Sequence, residues 1–166
     1  MCRAISPYRV SLRVSTTGTD ADFVVKLIDV YPTDAVAFET SEDPVDQTGR
    51  PWNDHQNGRQ VDLRGYQQLV RAEPFRGKYR HSFEHPEPFV PGEPTTVSFT
   101  MPDICHCFCE GHRIMVQVQS SWFPLVDRNP QTFCNIYQCD ESAFQSATHC
   151  VYETSQLHVQ AILASD

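Results

Sequence analysis

Alternating apolar and polar residues near the amino terminus constrain the fold of this chain most strongly. In residues 10–14 (VSLRV) the alternation has a period of two, which is the pattern of a strand with one buried face. Residues 23–31 (FVVKLIDVY) are apolar on both faces, as in a central strand, and Pro32 ends the run. Residues 17–19 (TGT) are a turn signal between the two stretches. This order predicts two adjacent antiparallel strands.

Further strands are predicted by similar patterns downstream; they are residues 66–71, 97–101, 112–119 and 157–163. Within residues 112–119, Ile114, Val116 and Val118 fall on one face. Only residues 141–150 have helical spacing. The pattern predicts one all-β domain over residues 1–166, either a sandwich or a barrel, with long loops and at most one or two short helices.

Two irregular segments interrupt the strands. Residues 33–64 are polar and turn-rich without periodicity, which predicts a long surface loop. Residues 85–94 (HPEPFVPGEP) are too rich in proline for regular structure and are expected to run extended across a surface.

The charge of the chain argues against a polyanionic partner. There are 13 basic and 21 acidic side chains, giving a net charge of −8. The densest basic stretch, residues 71–80, is interrupted by Glu73, so no nucleic-acid interface is expected. No stretch approaches the roughly 20 apolar residues of a membrane helix, and the amino terminus lacks a signal-peptide pattern. The expectation is a soluble protein without a membrane anchor.

The motifs that mark common catalytic and nucleotide sites are not found. The chain contains no Gly-x-Ser-x-Gly nucleophile elbow, no phosphate-binding glycine loop and no EF-hand spacing. We therefore predict no catalytic residues and no cofactor for this chain.

The clustered cysteines are the local feature of the sequence that most suggests a chemical role. Cys105, Cys107 and Cys109 lie within five residues, and His112 follows three residues later. Thiols and imidazoles at this density are candidate ligands for zinc or copper. Alternatively, the spacing of two places the three thiols on one face of a strand, where they would be buried as small apolar side chains. We favour buried, reduced thiols, and the total of seven cysteines excludes complete intramolecular pairing.

Four residues are candidates for contact with another domain. Trp122 and Phe123 form an aromatic cluster after a predicted strand, and Arg76 and Arg80 belong to the basic stretch. Aromatic residues at such a position either contact a partner or cap the end of a sandwich core.

Several long segments of the chain resemble the C-terminal domain of the cocaine esterase / X-Pro dipeptidyl-peptidase family. They are residues 15–32, 65–71, 75–80, 111–124, 129–130, 135–137, 147–149 and 151–152. The resemblance implies a non-catalytic, all-β, jelly-roll-like (galactose-binding-like) β-sandwich that packs against an α/β-hydrolase catalytic domain carrying a Ser-His-Asp triad. None of the matched segments is a triad motif, so no catalytic residue is transferred to this chain.

The chain departs from the family pattern in two ways. It begins almost at a strand, so the domain is expected to lack its first strand or strands and to be marginally stable alone. The thiol-rich segment around Cys107 is also unusual. The leading interpretation is an accessory domain bracing a serine hydrolase. A free-standing module that binds carbohydrate or protein is the alternative, and a thiol- or metal-binding protein is the third.

Overall fold

The computed structural model describes residues 2–5, 8–33, 63–159 and 161–163. Within them the protein has ten strands: β1 (Cys2–Ile5), β2 (Tyr8–Thr16), β3 (Asp22–Val30), β4 (Gln67–Arg76), β5 (Thr95–Met101), β6 (Cys105–Phe108), β7 (Arg113–Gln119), β8 (His149–Val151), β9 (Gln156–His158) and β10 (Ala161–Leu163). The helical elements of this part are two 3₁₀ turns, Gly77–Tyr79 and Glu141–Ala143. None of its helices is long and apolar enough to cross a membrane. Most of the loop predicted at residues 33–64 lies outside the described residues.

The strands form three antiparallel sheets. In the first, β2 pairs with β5 along one edge and with β8 and β9 along successive stretches of its length. In the second, β3 lies between β4 and β7. The third sheet has the order β10-β1-β6. The central strands of the first two sheets are therefore consecutive in the chain.

The hydrophobic core lies between the β2 sheet and the β3 sheet. Its buried side chains come from alternate positions of β2, β3 and β5, from the end of β6 and from three connecting segments; they are Tyr8, Val10, Leu12, Val14, Ala21, Phe23, Val25, Leu27, Phe89, Val97, Phe99, Met101, Ile104 and Phe108. Because two sheets pack through these faces, the prediction of an all-β sandwich is confirmed.

The predicted pairing of the first two strands is wrong. β2 and β3 do not hydrogen-bond to each other, because both edges of each strand are occupied by other partners. The turn after β2 instead carries the chain from one sheet to the other, so that Val14 and Phe23 belong to the same core. A short turn between two apolar strands can form a hairpin or can lead from one sheet to another. Here it leads to the other sheet, because that arrangement buries the inner faces of both strands in one core.

Several predicted boundaries also change. The strand predicted at residues 66–71 extends to Arg76 through Pro74, which an edge strand tolerates because its N–H is not needed for pairing. The strand predicted at residues 157–163 is divided between β9 and β10. The predicted helix over residues 141–150 is wrong: one 3₁₀ turn covers its start, and His149–Val151 pairs with β2.

A buried carboxylate joins two of the sheets. Asp29, on β3, is 1% exposed. Its two oxygens lie 2.8 Å from Nε2 of His106, on β6, and 2.9 Å from Nδ1 of His112. The ring of Tyr31 packs against His112 at a centroid distance of 4.5 Å. Both carboxylate oxygens are therefore satisfied by side chains from outside β3, which fixes the β6–β7 connection against the second sheet.

We expect the substitution Asp29→Ala to lower the free energy of unfolding by about 3 kcal/mol, because it leaves two partly buried imidazoles without their acceptor. Urea denaturation measures this change. Asp140→Ala is the control, since Asp140 is exposed and makes no side-chain capping bond; its effect should stay within about 0.5 kcal/mol. Equal effects of the two substitutions would contradict a structural role for Asp29.

Candidate docking surface

The connection between β7 and β8 carries a concentration of exposed apolar side chains. Five large residues of this segment are solvent-accessible, and we call them the aromatic loop surface: Phe123 (58% exposed), Leu125 (68%), Phe133 (38%), Tyr137 (79%) and Phe144 (46%). Apolar residues of this size cluster on a protein surface mainly where a ligand or another domain covers them.

Two open grooves run between these side chains. One has a volume of about 580 Å³ and lies between the Gly77–Tyr79 turn and Phe133. The other has a volume of about 380 Å³ and lies between Phe123 and Phe144. Ile136 and Tyr137 line both grooves and separate them. The surface is therefore ridged and not flat.

A buried ion pair lies beneath the first groove. Asp20 is fully buried, and its Oδ2 lies 3.6 Å from Nζ of Lys78 in the 3₁₀ turn. This distance is an ion-pair separation and is too long for a direct hydrogen bond. Nζ of Lys78 also donates to the carbonyl of Cys134 at 3.1 Å. The ammonium group therefore connects the crossing between the sheets to the middle of the β7–β8 segment.

A second carboxylate holds the same segment nearby. The side-chain amide of Asn129 donates to Oδ1 of Asp22 at 2.8 Å, and both residues are buried. The guanidinium of Arg76 lies 3.5 Å from Asp22 Oδ2 and 4.0 Å from Asp127. We call Asp20, Asp22, Arg76, Lys78 and Asn129 the polar anchor.

Gln131 completes the attachment through its backbone. Its carbonyl accepts hydrogen bonds from the amides of Thr19 at 3.0 Å and Asp20 at 3.3 Å. Its φ of 65° is in the left-handed region, which costs energy in a residue other than glycine. A Cβ at Gly18 would lie 2.4 Å from this carbonyl oxygen, so glycine is required for the close approach.

Burial dominates the electrostatics of the anchor. It raises the pKa of Asp20 despite the nearby ammonium of Lys78. It also raises the pKa of Asp22 to about 6, although Asn129 and Arg76 act in the opposite direction. The two carboxylates are therefore costly to ionise, and their cationic and amide partners must stay in place to support them.

The four interface candidates occupy different environments. Phe123 lies on the aromatic loop surface, with the guanidinium of Arg128 4.6 Å from its ring centre. Trp122 is half-buried, and Lys26 lies 4.4 Å above its ring. Arg76 belongs to the anchor. Arg80 is engaged within the domain, because it donates to the carbonyls of Glu87 and Pro88 and packs on Phe89.

The predicted burial of the clustered thiols is wrong. Cys105 and Cys109 are exposed and Cys107 is half-buried. The opposite face of β6 is the inner one, since His106 reaches Asp29 and Phe108 is buried. The period of two was correctly assigned, but it cannot tell which face is covered. In the described part of the chain, no three His, Cys, Asp or Glu side chains are grouped to hold a metal ion.

Most of the aromatic loop surface is not predictable from the sequence. The segment after β7 has no periodicity from which exposed residues such as Tyr137 can be identified. Asp20 and Lys78 are 58 residues apart in sequence, and no local pattern predicts that they pair.

The raised pKa of Asp22 predicts a pH dependence of stability. Its ordinary value is 3.8 and its value in the folded protein is about 6, so folding strengthens proton binding. The resulting stabilisation is complete below the ordinary pKa and is lost as pH rises through 6. Between pH 4.5 and 7, the wild type should lose about 2 kcal/mol relative to Asp22→Asn. The lowered pKa of His149 acts in the opposite direction, and comparison of the two proteins cancels it.

Urea denaturation at several pH values measures this difference. Asp140→Asn, at an exposed carboxylate, is the control and should follow the wild-type curve. A difference between wild type and Asp22→Asn that does not vary with pH would contradict the assignment.

Comparison with known proteins places the whole described core in one family. The family described as the X-Pro dipeptidyl-peptidase C-terminal non-catalytic domain matches residues 7–160. Cocaine esterase from Rhodococcus sp. (strain MB1 Bresler) is 33% identical over 121 residues, which are 73% of this chain and 16% of the esterase.

Two solved structures are similar over almost the entire chain. An aminopeptidase from a marine sediment archaeon (Thaumarchaeota archaeon) has 38% identity and a TM-score of 0.78, covering 98% of this chain and 24% of that one. A selenomethionine-labelled α-amino acid ester hydrolase has 36% identity and a TM-score of 0.77, covering 97% and 24%. This chain spans a quarter or less of each relative, and it belongs to the family of non-catalytic C-terminal domains of X-Pro dipeptidyl-peptidases.

Proposed function

We propose that this chain braces the catalytic domain of an α/β-hydrolase that acts on esters, amides or X-Pro peptides. The aromatic loop surface is the face that packs on this partner, either within one polypeptide or between two chains. The observation that carries the proposal is a cluster of exposed apolar side chains on a segment held in place by a buried polar anchor.

The composition of the surface fits a domain interface. Phe123, Tyr137 and their neighbours supply aromatic area, which is enriched at protein interfaces. Charged groups at its border, Asp127 and Arg128, are already engaged with Tyr137 and Phe123. A partner can therefore cover the rings without leaving these charges unpaired.

The anchor adds a second line of support. Three ordered attachments hold the segment through Cys134, Asn129 and Gln131. A surface that is already ordered loses little conformational entropy when the partner binds. The relatives named above are an esterase, an aminopeptidase and an ester hydrolase, each several times longer than this chain, which supports a hydrolase catalytic domain as the partner.

A third groove, outside the aromatic loop surface, favours a different ligand. It has a volume of about 420 Å³ and lies between the edge strands β4 and β5. Phe83, which is 78% exposed, packs between Tyr79 and Phe75 there. Glu73 and Ser98 place polar groups in the same groove. Aromatic faces with a few polar groups are typical of binding sites for small molecules such as sugars, so a carbohydrate is the second candidate.

The substitutions Phe123→Ser and Tyr137→Ser should each weaken association with the catalytic part about tenfold or more, because both remove aromatic contact area. The purified chain is titrated with the part of the similar archaeal aminopeptidase that lies outside the matched region, by calorimetry. Phe83→Ser is the control, since Phe83 is 78% exposed and lines a different groove, and it should change the affinity less than about twofold.

Two results would contradict the docking proposal: no complex with the wild-type chain, or equal effects of Phe83→Ser and Phe123→Ser. Glycan binding that is lost in Phe83→Ser and retained in Phe123→Ser would favour the second candidate instead.

A further inference from the structure

We infer that Cys134 and Cys139 form a reversible dithiol/disulfide pair that closes the tip of the β7–β8 segment. This inference does not depend on the proposed function. It concerns two thiols that none of the interactions described above uses, and it assigns to them a redox modification site.

The backbone between the two cysteines reverses direction in a tight turn. The amides of Gln138 and Cys139 both donate to the carbonyl of Asn135, each at 3.0 Å. The side-chain oxygen of Asn135 accepts from the amide of Tyr137 at 3.1 Å. These three bonds fold residues 135–139 into a compact turn, which ends at Cys139 and is directly preceded by Cys134.

The two side chains interact across this turn, and, besides burial, the interaction with Cys139 contributes to raising the pKa of Cys134. The Cys139 thiol in turn points to the carbonyl of Ile136, with a sulfur–oxygen distance of 3.7 Å. Both cysteines are reduced and half-buried. A disulfide can join two side chains next to so short a turn when their Cβ atoms approach to about 4 Å.

The backbone around Cys134 is fixed, which keeps one end of the turn in place. Its carbonyl accepts from Lys78, and Lys78 is paired with the buried Asp20. The preceding residue, Phe133, donates its amide to the hydroxyl oxygen of Thr19 at 2.8 Å. Oxidation therefore joins Cys139 to a rigid point of the domain and does not require the polar anchor to move.

The environment assigns different roles to the two thiols. Burial and the interaction with Cys139 raise the pKa of Cys134, which lowers the fraction of its reactive thiolate. In the first step of the proposed reaction, Cys139 reacts with a low-molecular-weight disulfide such as oxidised glutathione. Its thiolate attacks one sulfur, the disulfide bond breaks, and one glutathione thiolate leaves.

The second step closes the pair. Cys134 loses its proton and attacks the sulfur of Cys139, a new S–S bond forms, and the second glutathione leaves. In total the two cysteines lose two protons and two electrons, and one oxidised glutathione becomes two reduced glutathiones. Because the turn carries Ile136 and Tyr137, the disulfide would fix part of the aromatic loop surface. An effect of the disulfide on docking is the one consequence that rests on the proposed function.

The test uses the full chain equilibrated in glutathione buffers, alkylated and digested with a protease that cleaves after Asp and Glu. Cleavage after Asp127 and Asp140 gives fragment 128–140, which contains Cys134 and Cys139 and no other cysteine. We expect this fragment to lose two hydrogen atoms, to resist alkylation, and to regain both thiols after reduction. The fraction with the internal disulfide should be at least about tenfold higher in the folded protein than in urea, since the turn holds the thiols together.

Single substitutions separate the two roles. In Cys134→Ser, Cys139 should accumulate the mixed disulfide with glutathione, because the thiol that would displace it is missing. In Cys139→Ser, Cys134 should remain largely free. Cys150, which is exposed and lies alone in fragment 142–153, reports reaction with glutathione at an isolated thiol.

The inference is wrong if fragment 128–140 keeps two free thiols at glutathione ratios that modify Cys150. It is equally wrong if Cys134 and Cys139 each carry glutathione, or if urea leaves the disulfide fraction unchanged. These readouts are masses of this chain alone, so a failure of hydrolase docking does not affect them.

Discussion

The position of the exposed loop depends on the buried ion pair between Asp20 and Lys78. Asp20 lies where the chain crosses from the β2 sheet to the β3 sheet, and Lys78 lies in the 3₁₀ turn after β4. Through the carbonyl of Cys134, the same ammonium group reaches the β7–β8 segment. A buried pair of this kind contributes little net stability, because desolvation offsets the attraction, but loss of one partner is costly. Its main effect here is to specify one arrangement of three segments.

The sandwich explains why these segments meet. β3 is buried on both faces, so its turn with β2 is covered as well, and polar groups in that turn need partners within the protein. Asp22 and Asp20 obtain theirs from Asn129 and Lys78. The carbonyl of Gln131 satisfies the neighbouring backbone amides. The loop is therefore ordered by the hydrogen-bonding requirements of the core, while its own apolar side chains remain outside.

Features that depend on residues close together in the sequence could be predicted, and features that depend on distant residues could not. Alternation within β2 and β5 is local, so the strands and the sandwich class were correctly predicted. Whether β2 and β3 pair with each other or lie in different sheets depends on all five of their partner strands, and the sequence of the turn does not contain that information. The thiols of β6 show the same limit, since their common face was predicted and its exposure was not. The anchor could not be predicted, because its ion pair joins residues distant in sequence.

The aromatic loop surface is positioned by two sets of contacts, one to the core and one within the loop itself. Lys78, Asn129 and Gln131 fix where the β7–β8 segment leaves the core, because each contacts the crossing between the sheets. The orientation of Tyr137 is set locally, by the turn at Asn135 and by the bond from its hydroxyl to Asp127. Local turns of this size open at low cost, whereas release of the anchor exposes buried charge. Conformational change in this domain is therefore expected to begin at the tip around Tyr137, where the two thiols lie, and to leave the core intact.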